Sequence, residues 1–292
     1  MARKRFLLLA VLFLALFVAL TAALKFVDVT SPLREDPQKP ELGTMDFGTD
    51  GNVGLSTVNI GVFKALGTSE TFDKLSDLVM VFAIGLGLIF GLVWLVQIFK
   101  YRRFTGVDTE LYLLALLYVV TLALYVIFEK VNLNGRPVAQ AVGEQLELEA
   151  SFPSSHVLLI VAMVGSACLF LRARLRSQML RRVVIALSVV LMAGGTVGRL
   201  LSGQHWFTDV AAAVLLGLSL IFFYEAAAWN HPRRALREEP APRHPGRDEQ
   251  PSYQDPYTRE RQELDRMARD YGRPSSRKEE EELRDPLSPA RK

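Results

Sequence analysis

Histidine is scarce in this sequence, with four among 292 residues, and cysteine is scarcer still, with one. The lone Cys168 has no partner for an internal disulfide or a thiolate metal cluster. Inside an apolar run, it reads as a small buried hydrophobe. A broad basic surface is also missing. The net charge is only +3, and Lys and Arg fall in short runs beside apolar segments without interleaved aromatics. That pattern excludes nucleic acid as a partner. No internal repeat of the kind that builds duplicated transporters is present. Charge is nearly missing from long runs within residues 5–229, and aliphatics are nearly missing from 230–292. Averages of 50% hydrophobic and 22% charged therefore describe two regions, a membrane domain and a polar tail.

A spanning helix needs roughly 20 mostly apolar residues. Six segments supply this, at residues 6–24, 78–99, 111–128, 156–171, 183–201 and 209–229. The expected fold is an all-α bundle of six transmembrane helices with a disordered polar C-terminal tail. Its parts are a first helix acting as signal anchor (1–27), an outer loop (28–77), a five-helix membrane core (78–229) and a cytoplasmic tail (230–292). Lys and Arg in short loops stay cytoplasmic. Arg3, Lys4 and Arg5, then Lys100, Arg102 and Arg103, then Arg172, Arg174, Arg176, Arg181 and Arg182, then Arg233, Arg234 and Arg237 all fall on one side if the spans alternate. Both termini are thus expected in the cytoplasm, with connections 25–77, 129–155 and 202–208 outside. Small residues Thr21, Ala22 and Ala23 also fit a cleaved signal peptide, although the apolar stretch exceeds the usual h-region.

Within the outer loop, residues 55–66 suit an amphipathic interfacial helix, with ordinary loop packing as the alternative. Gly85, Gly87 and Gly91 are read as permitting close helix packing. Trp94, Trp206 and Trp229 are read as interfacial anchors. Glu144, Glu147 and Glu149 are read as a solvated loop face flanking the site. In the tail, few aliphatics oppose chain entropy, so disorder is expected, with a short helix over 257–271 conceivable and 279–282 a solvated charge block. The sequence names no partner for the tail.

Two histidines, His231 and His244, lie in that tail; only His156 and His205 belong to the membrane domain, both at outer ends of spans. Polar groups there are costly unless paired or solvated. Asp209 follows His205 by four residues. If the sixth helix begins near His205, its carboxylate lies one turn along the same face and accepts from one ring nitrogen, leaving the other bare as nucleophile or base. Ser154 suits the N-cap of the fourth span, whose unpaired N–H groups bind phosphate, with Ser155 and His156 in the first turn. Pro137 keeps Arg136 extended, so Arg136 and Arg199 can offer planar forks to phosphate oxygens.

Together these pieces resemble the type 2 phosphatidic acid phosphatase superfamily, related to vanadium haloperoxidases, whose signature runs K-x6-R-P, P-S-G-H and S-R-x5-H-x3-D. Arg199, His205 and Asp209 reproduce the third motif, Pro153, Ser154 and His156 the second in part, and Arg136-Pro137 the end of the first. The likeness covers about residues 78–229. Three positions depart. Lys130 lies one residue too close to Arg136 to be the motif lysine, and Glu129 stands at the aligned place. Ser155 replaces a glycine and Gly198 a serine. The resemblance implies a metal-independent and cofactor-free phosphatase of lipid phosphates or diphosphates at the outer face. His205 would form a phosphohistidine, Asp209 would orient it, and His156 would serve as acid and base. Arg136, Arg199, the N–H groups near Ser154 and Ser155, and more weakly Lys130 would hold phosphate. The substrate would be an isoprenoid diphosphate, phosphatidic acid or phosphatidylglycerophosphate. The competing reading is a non-catalytic protein that binds or moves lipid on the same scaffold.

Overall fold

Apolar runs become helices because nothing in hydrocarbon can satisfy a backbone amide left outside one. The computed structural model describes residues 2–102, 107–229 and 258–271. Within them, six helices are long and apolar enough to cross a membrane. These are α1 (Ala2–Phe26), α3 (Glu70–Tyr101), α4 (Thr109–Glu129), α5 (Ser155–Arg174), α6 (Gln178–Leu201) and α7 (Phe207–Ala228). Among the described residues, the expected all-α bundle with six helices of membrane-crossing length holds. Two short strands, β1 (Gln140–Val142) and β2 (Gln145–Glu147), form an antiparallel hairpin in the α4–α5 connection.

Helix α5 is the centre of the bundle and packs on α3, α4, α6 and α7. Every residue from Val157 to Ala167 is buried, which removes any amphipathic pattern from this helix. One core cluster joins Leu114, Tyr118, Ile160, Met163, Phe170 and Tyr224. A second, nearer the outer connections, joins Phe17, Leu24, Phe152, Val157, Ala213 and Leu216. Helix α1 runs antiparallel along α7: Phe6 stacks near Phe222 and Trp229, and Ser219 Oγ donates to Ala10 O at 2.9 Å.

The helices depart from the apolar windows where charges are satisfied internally. Helix α5 continues past Leu171 because Arg172 pairs with Glu225, and Arg174 pairs with Asp108 and Glu110. Helix α3 begins at Glu70, eight residues before the apolar run, and these extra two turns carry Asp73 and Asp77. The glycines expected to allow close packing do not all do so. A Cβ at Gly85 or Gly91 would meet nothing within 4 Å, and at Gly87 only ordinary contacts. Close approach belongs to Gly165, Gly195 and Gly217, where a Cβ would lie 2.4, 2.8 and 2.7 Å from Ile221, Ile160 and Val161. Cys168 is half-buried.

Helix α2 (Ser56–Leu66) occupies the stretch read as either amphipathic helix or loop. It docks on the start of α7 through Asn59, whose Nδ2 donates to Thr208 Oγ1 and Gly54 O at 2.8 Å, and whose Oδ1 accepts from Thr208 N at 3.1 Å. The outer connections gather at one end of the bundle. Gly135 N donates to Asn52 O, and Ser69 N donates to Ser202 O. Lys100, Arg102, Arg172, Arg174, Arg181 and Arg182 lie at the other end, at the ends of α3 and α5 and the start of α6. Residues Met1–Leu236 form one compact unit and Arg237–Lys292 a second. In the tail expected to be disordered, α8 (Thr258–Tyr271) is helical, as the short helix over 257–271 anticipated. Arg103, the basic cluster Arg233, Arg234 and Arg237, the histidines His231 and His244, and residues 279–282 lie outside the described residues.

Candidate active site

After α6 ends, the chain must reverse tightly to start α7. Gly203 makes the turn at φ +73°, where a Cβ would also lie 2.8 Å from Gly67 O. His205 follows, before the helix begins, and is nearly fully buried. Its Nδ1 lies 2.9 Å from Ser151 O and 3.1 Å from Ser151 Oγ. A carbonyl can only accept, so the proton sits on Nδ1 and Nε2 is bare. Nε2 is buried with no hydrogen-bond partner among the described residues. Burial pushes the imidazole well below its usual pKa, and the nearby charges of Arg199, Arg136 and His156 push it further.

Asp209 does not touch His205, contrary to the expected one-turn pairing. Because α7 begins at Phe207, Asp209 is the third helical residue and turns back as a cap, accepting from Trp206 N at 3.0 Å. The link runs through Ser151, whose Oγ donates to Asp209 Oδ2 at 2.5 Å while facing His205 Nδ1. The other carboxylate oxygen accepts from Asn134 Nδ2 at 2.7 Å, and Asn134 Oδ1 accepts from Gly54 N at 3.0 Å. Both oxygens of this buried carboxylate thus accept from named donors, which is what makes its burial tolerable.

The basic groups are paired with acids. Arg136 Nη2 lies 2.7 Å from Glu149 Oε2, and its Nη1 lies 3.5 Å from Gln204 Oε1. Arg199 Nη1 lies 2.5 Å from Asp73 Oδ1 and 3.5 Å from Asp77 Oδ1. The Nε atoms of both arginines are buried without partners among the described residues. His156 Nε2 lies 3.0 Å from Asp77 Oδ1, and its Nδ1 lies 3.5 Å from Ser155 Oγ. Ser154 is the N-cap of α5, and its fully buried Oγ caps nothing and has no partner among the described residues. Its N–H donates to Asp209 O at 3.1 Å. Glu149 is exposed like Glu144 and Glu147, but it also pairs with Arg136 and lines the cavity.

A cavity of about 330 Å³ opens beside these groups. Arg136, Glu149, Ser151, Ser155 and His205 form its polar wall, and Tyr125, Phe128, Phe152 and Leu158 its apolar wall, with Glu129 and Lys130 at the end of α4. His156, Arg199 and Ser154 do not line it. An anionic headgroup and an aliphatic tail can both be accommodated by such walls. Among the described residues, no three His, Cys, Asp or Glu side chains are grouped to hold a metal ion.

Several supporting residues escaped the sequence reading. Buried Arg34 donates through Nε to Arg136 O at 2.6 Å and through Nη2 to Gly51 O at 3.0 Å, and it also bonds Pro32 O. Burial lowers its pKa to about 10, so it stays charged at neutral pH. Its guanidinium lies 5.2 Å over the Trp206 ring, and Trp206 Nε1 donates to Gly135 O at 2.7 Å. Trp206 is therefore a buried strut of the site and not an interfacial anchor. Nothing local marks Ser151, Asn134 or Arg34. Asp73 and Asp77 did carry a signal, two acids one turn apart immediately before an apolar run.

Residues 111–233 match the profile of the PAP2 superfamily. No curated protein compared matches the chain. A solved structure similar to it is the crystal structure of the first transmembrane PAP2 type phosphatidylglycerolphosphate phosphatase from Bacillus subtilis. That similarity covers 77% of this chain and 98% of the other, at 17% identity and a TM-score of 0.49.

Proposed function

We propose that this chain, whose residues 111–233 match the PAP2 superfamily and which has six helices long and apolar enough to cross a membrane, is a membrane phosphatase that hydrolyses a lipid phosphate or diphosphate through a phosphohistidine on His205. The observation that carries this is the bare, buried Nε2 of His205 beside an amphipathic cavity, with Nδ1 held by Ser151. A neutral imidazole with its tautomer fixed is a competent nucleophile towards phosphorus. Asp209 acts on it through Ser151. Arg136 and Arg199, with N–H groups of the first turn of α5 from Ser155 on, stabilise charge on the equatorial oxygens. His156 protonates the leaving oxygen, and water then hydrolyses the phosphoenzyme. This scheme needs no metal and no cofactor.

The site lies at the end of the bundle opposite the basic clusters. By the positive-inside rule, this separation supports a site on the extracellular or periplasmic side and cytoplasmic termini. A second reading, a non-catalytic protein that binds or moves lipid, draws on one observation: both guanidinium groups already hold carboxylates. Phosphate release from phosphatidic acid and an isoprenoid diphosphate, by protein purified in detergent, separates the two. We expect release that is unaffected by chelator and falls at least about 10³-fold in His205→Ala. Equal release by the variant would sink the phosphatase mechanism, and dependence on added divalent metal would sink the metal-independent scheme.

A further inference from the structure

Helix α3 lies wholly outside residues 111–233, yet its first two turns reach the site. Asp73 and Asp77 are one turn apart on one face, so both carboxylates point the same way. Their partners differ. Asp73 takes Arg199 at 2.5 Å, whereas Asp77 is only 3.5 Å from that arginine but 3.0 Å from His156 Nε2. Arg199 thus has its counter-charge without Asp77. The Asp77 carboxylate is half exposed, so as an ion pair it contributes little to stability. What it does is occupy one particular nitrogen of one particular ring.

The other nitrogen, Nδ1, looks towards Ser155 Oγ at 3.5 Å, and Ser155 lines the cavity that His205 lines. His156 itself does not line that cavity. We propose that Asp77 is a positioning residue for the reaction: it holds His156 Nε2–H so that the ring delivers its proton from Nδ1, on the Ser155 side. This inference rests on the phosphatase reading above. In the step, His205 Nε2 bonds to phosphorus as the bond from phosphorus to the leaving oxygen breaks. The electron pair of that bond goes to the leaving oxygen, which takes the Nδ1 proton. His156 is left neutral, with Nε2–H still on Asp77. Once the proton has gone from Nδ1, the same carboxylate keeps the tautomer in which Nδ1 can act as base on the incoming water.

General acid catalysis matters when the leaving group is a poor one, which gives a readout that a merely structural role would not move. The experiment compares kcat/KM for phosphatidic acid, whose alkoxide needs a proton, with that for 4-nitrophenyl phosphate, whose phenolate does not. For Asp77→Ala we expect a loss of roughly 10- to 100-fold on phosphatidic acid, a loss under about threefold on 4-nitrophenyl phosphate, and partial recovery in Asp77→Glu. Equal losses on both substrates, or none on either, would overturn the proposal. His205→Ala abolishes turnover of both if the phosphatase reading holds, so the two failures are distinguishable. Independently of turnover, ¹⁵N-histidine spectra should show the His156 ring, identified by its loss in His156→Gln, held with Nε2 protonated. In Asp77→Ala the ring should sample both tautomers; an unchanged spectrum also overturns the proposal.

Discussion

Ser151 stands between Asp209 and His205. The hydroxyl donates to the carboxylate and faces Nδ1, while the backbone carbonyl of the same residue accepts the Nδ1 proton. Orientation and charge are therefore supplied by two different groups: the carbonyl fixes the tautomer, and the hydroxyl transmits the field of a carboxylate that never contacts the ring. In Ser151→Ala the carbonyl remains, so the ring stays in place but loses its connection to the charge. We expect kcat to fall roughly 10- to 100-fold with KM nearly unchanged, the usual size of an outer-contact effect. Steady-state kinetics on phosphatidic acid check this, and a wild-type kcat would remove Ser151 from the mechanism.

At the scale of elements, backbone approach sets what each segment tolerates. A Cβ on Gly54 would sit 1.8 Å from Leu24 O, a backbone atom that cannot swing aside, so the return of the outer loop across the end of α1 needs glycine. Gly85 lies mid-helix with nothing within 4 Å. Gly54→Ala should therefore lower the unfolding midpoint in detergent sharply, on the order of 3 kcal/mol or more, the size of core overpacking. Gly85→Ala should be neutral or gain up to about 1 kcal/mol of helix propensity. Equal midpoints for the two variants would show that the loop is free to shift.

The same elements show what was legible in the sequence. The six spans were plain because twenty apolar residues in a row have few other uses. His205, His156, Arg136, Arg199 and the serines at 154 and 155 were legible because they stand beside the ends of those runs, in fixed order. The start of α3 was not, since an apolar window opens at Leu78 and discards the two polar turns that bring Asp73 and Asp77 to the site. The direct Asp209 contact was mistaken because it depended on where α7 starts. A shift of two residues turns a same-face neighbour into a cap. Ser151 and Asn134 act through crossings between loops, and no local pattern encodes which loops cross.

For the whole molecule, the proposed sidedness rests on the separation of the bundle's two ends. The exposed hairpin of β1 and β2 lies at the site end, and the basic clusters lie at the other. In cells, a cysteine introduced at Glu144, on the exposed hairpin turn, in a Cys168→Ala background should react with a membrane-impermeant maleimide. One introduced at Arg181, at the basic end, should react only after permeabilisation. The reverse pattern would turn the cavity to the cytoplasm and remove the proposed outer-face activity.

The side chain of Asn134 binds residue 54 on one side and residue 209 on the other. Three stretches of chain, far apart in order of synthesis, thus meet at a single amide group. While the protein is being made, the buried surroundings of His205 are incomplete until α7 has left the ribosome and packed, because Asp209 is carried by that helix. No contiguous fragment shorter than residues 54–209 contains the whole arrangement.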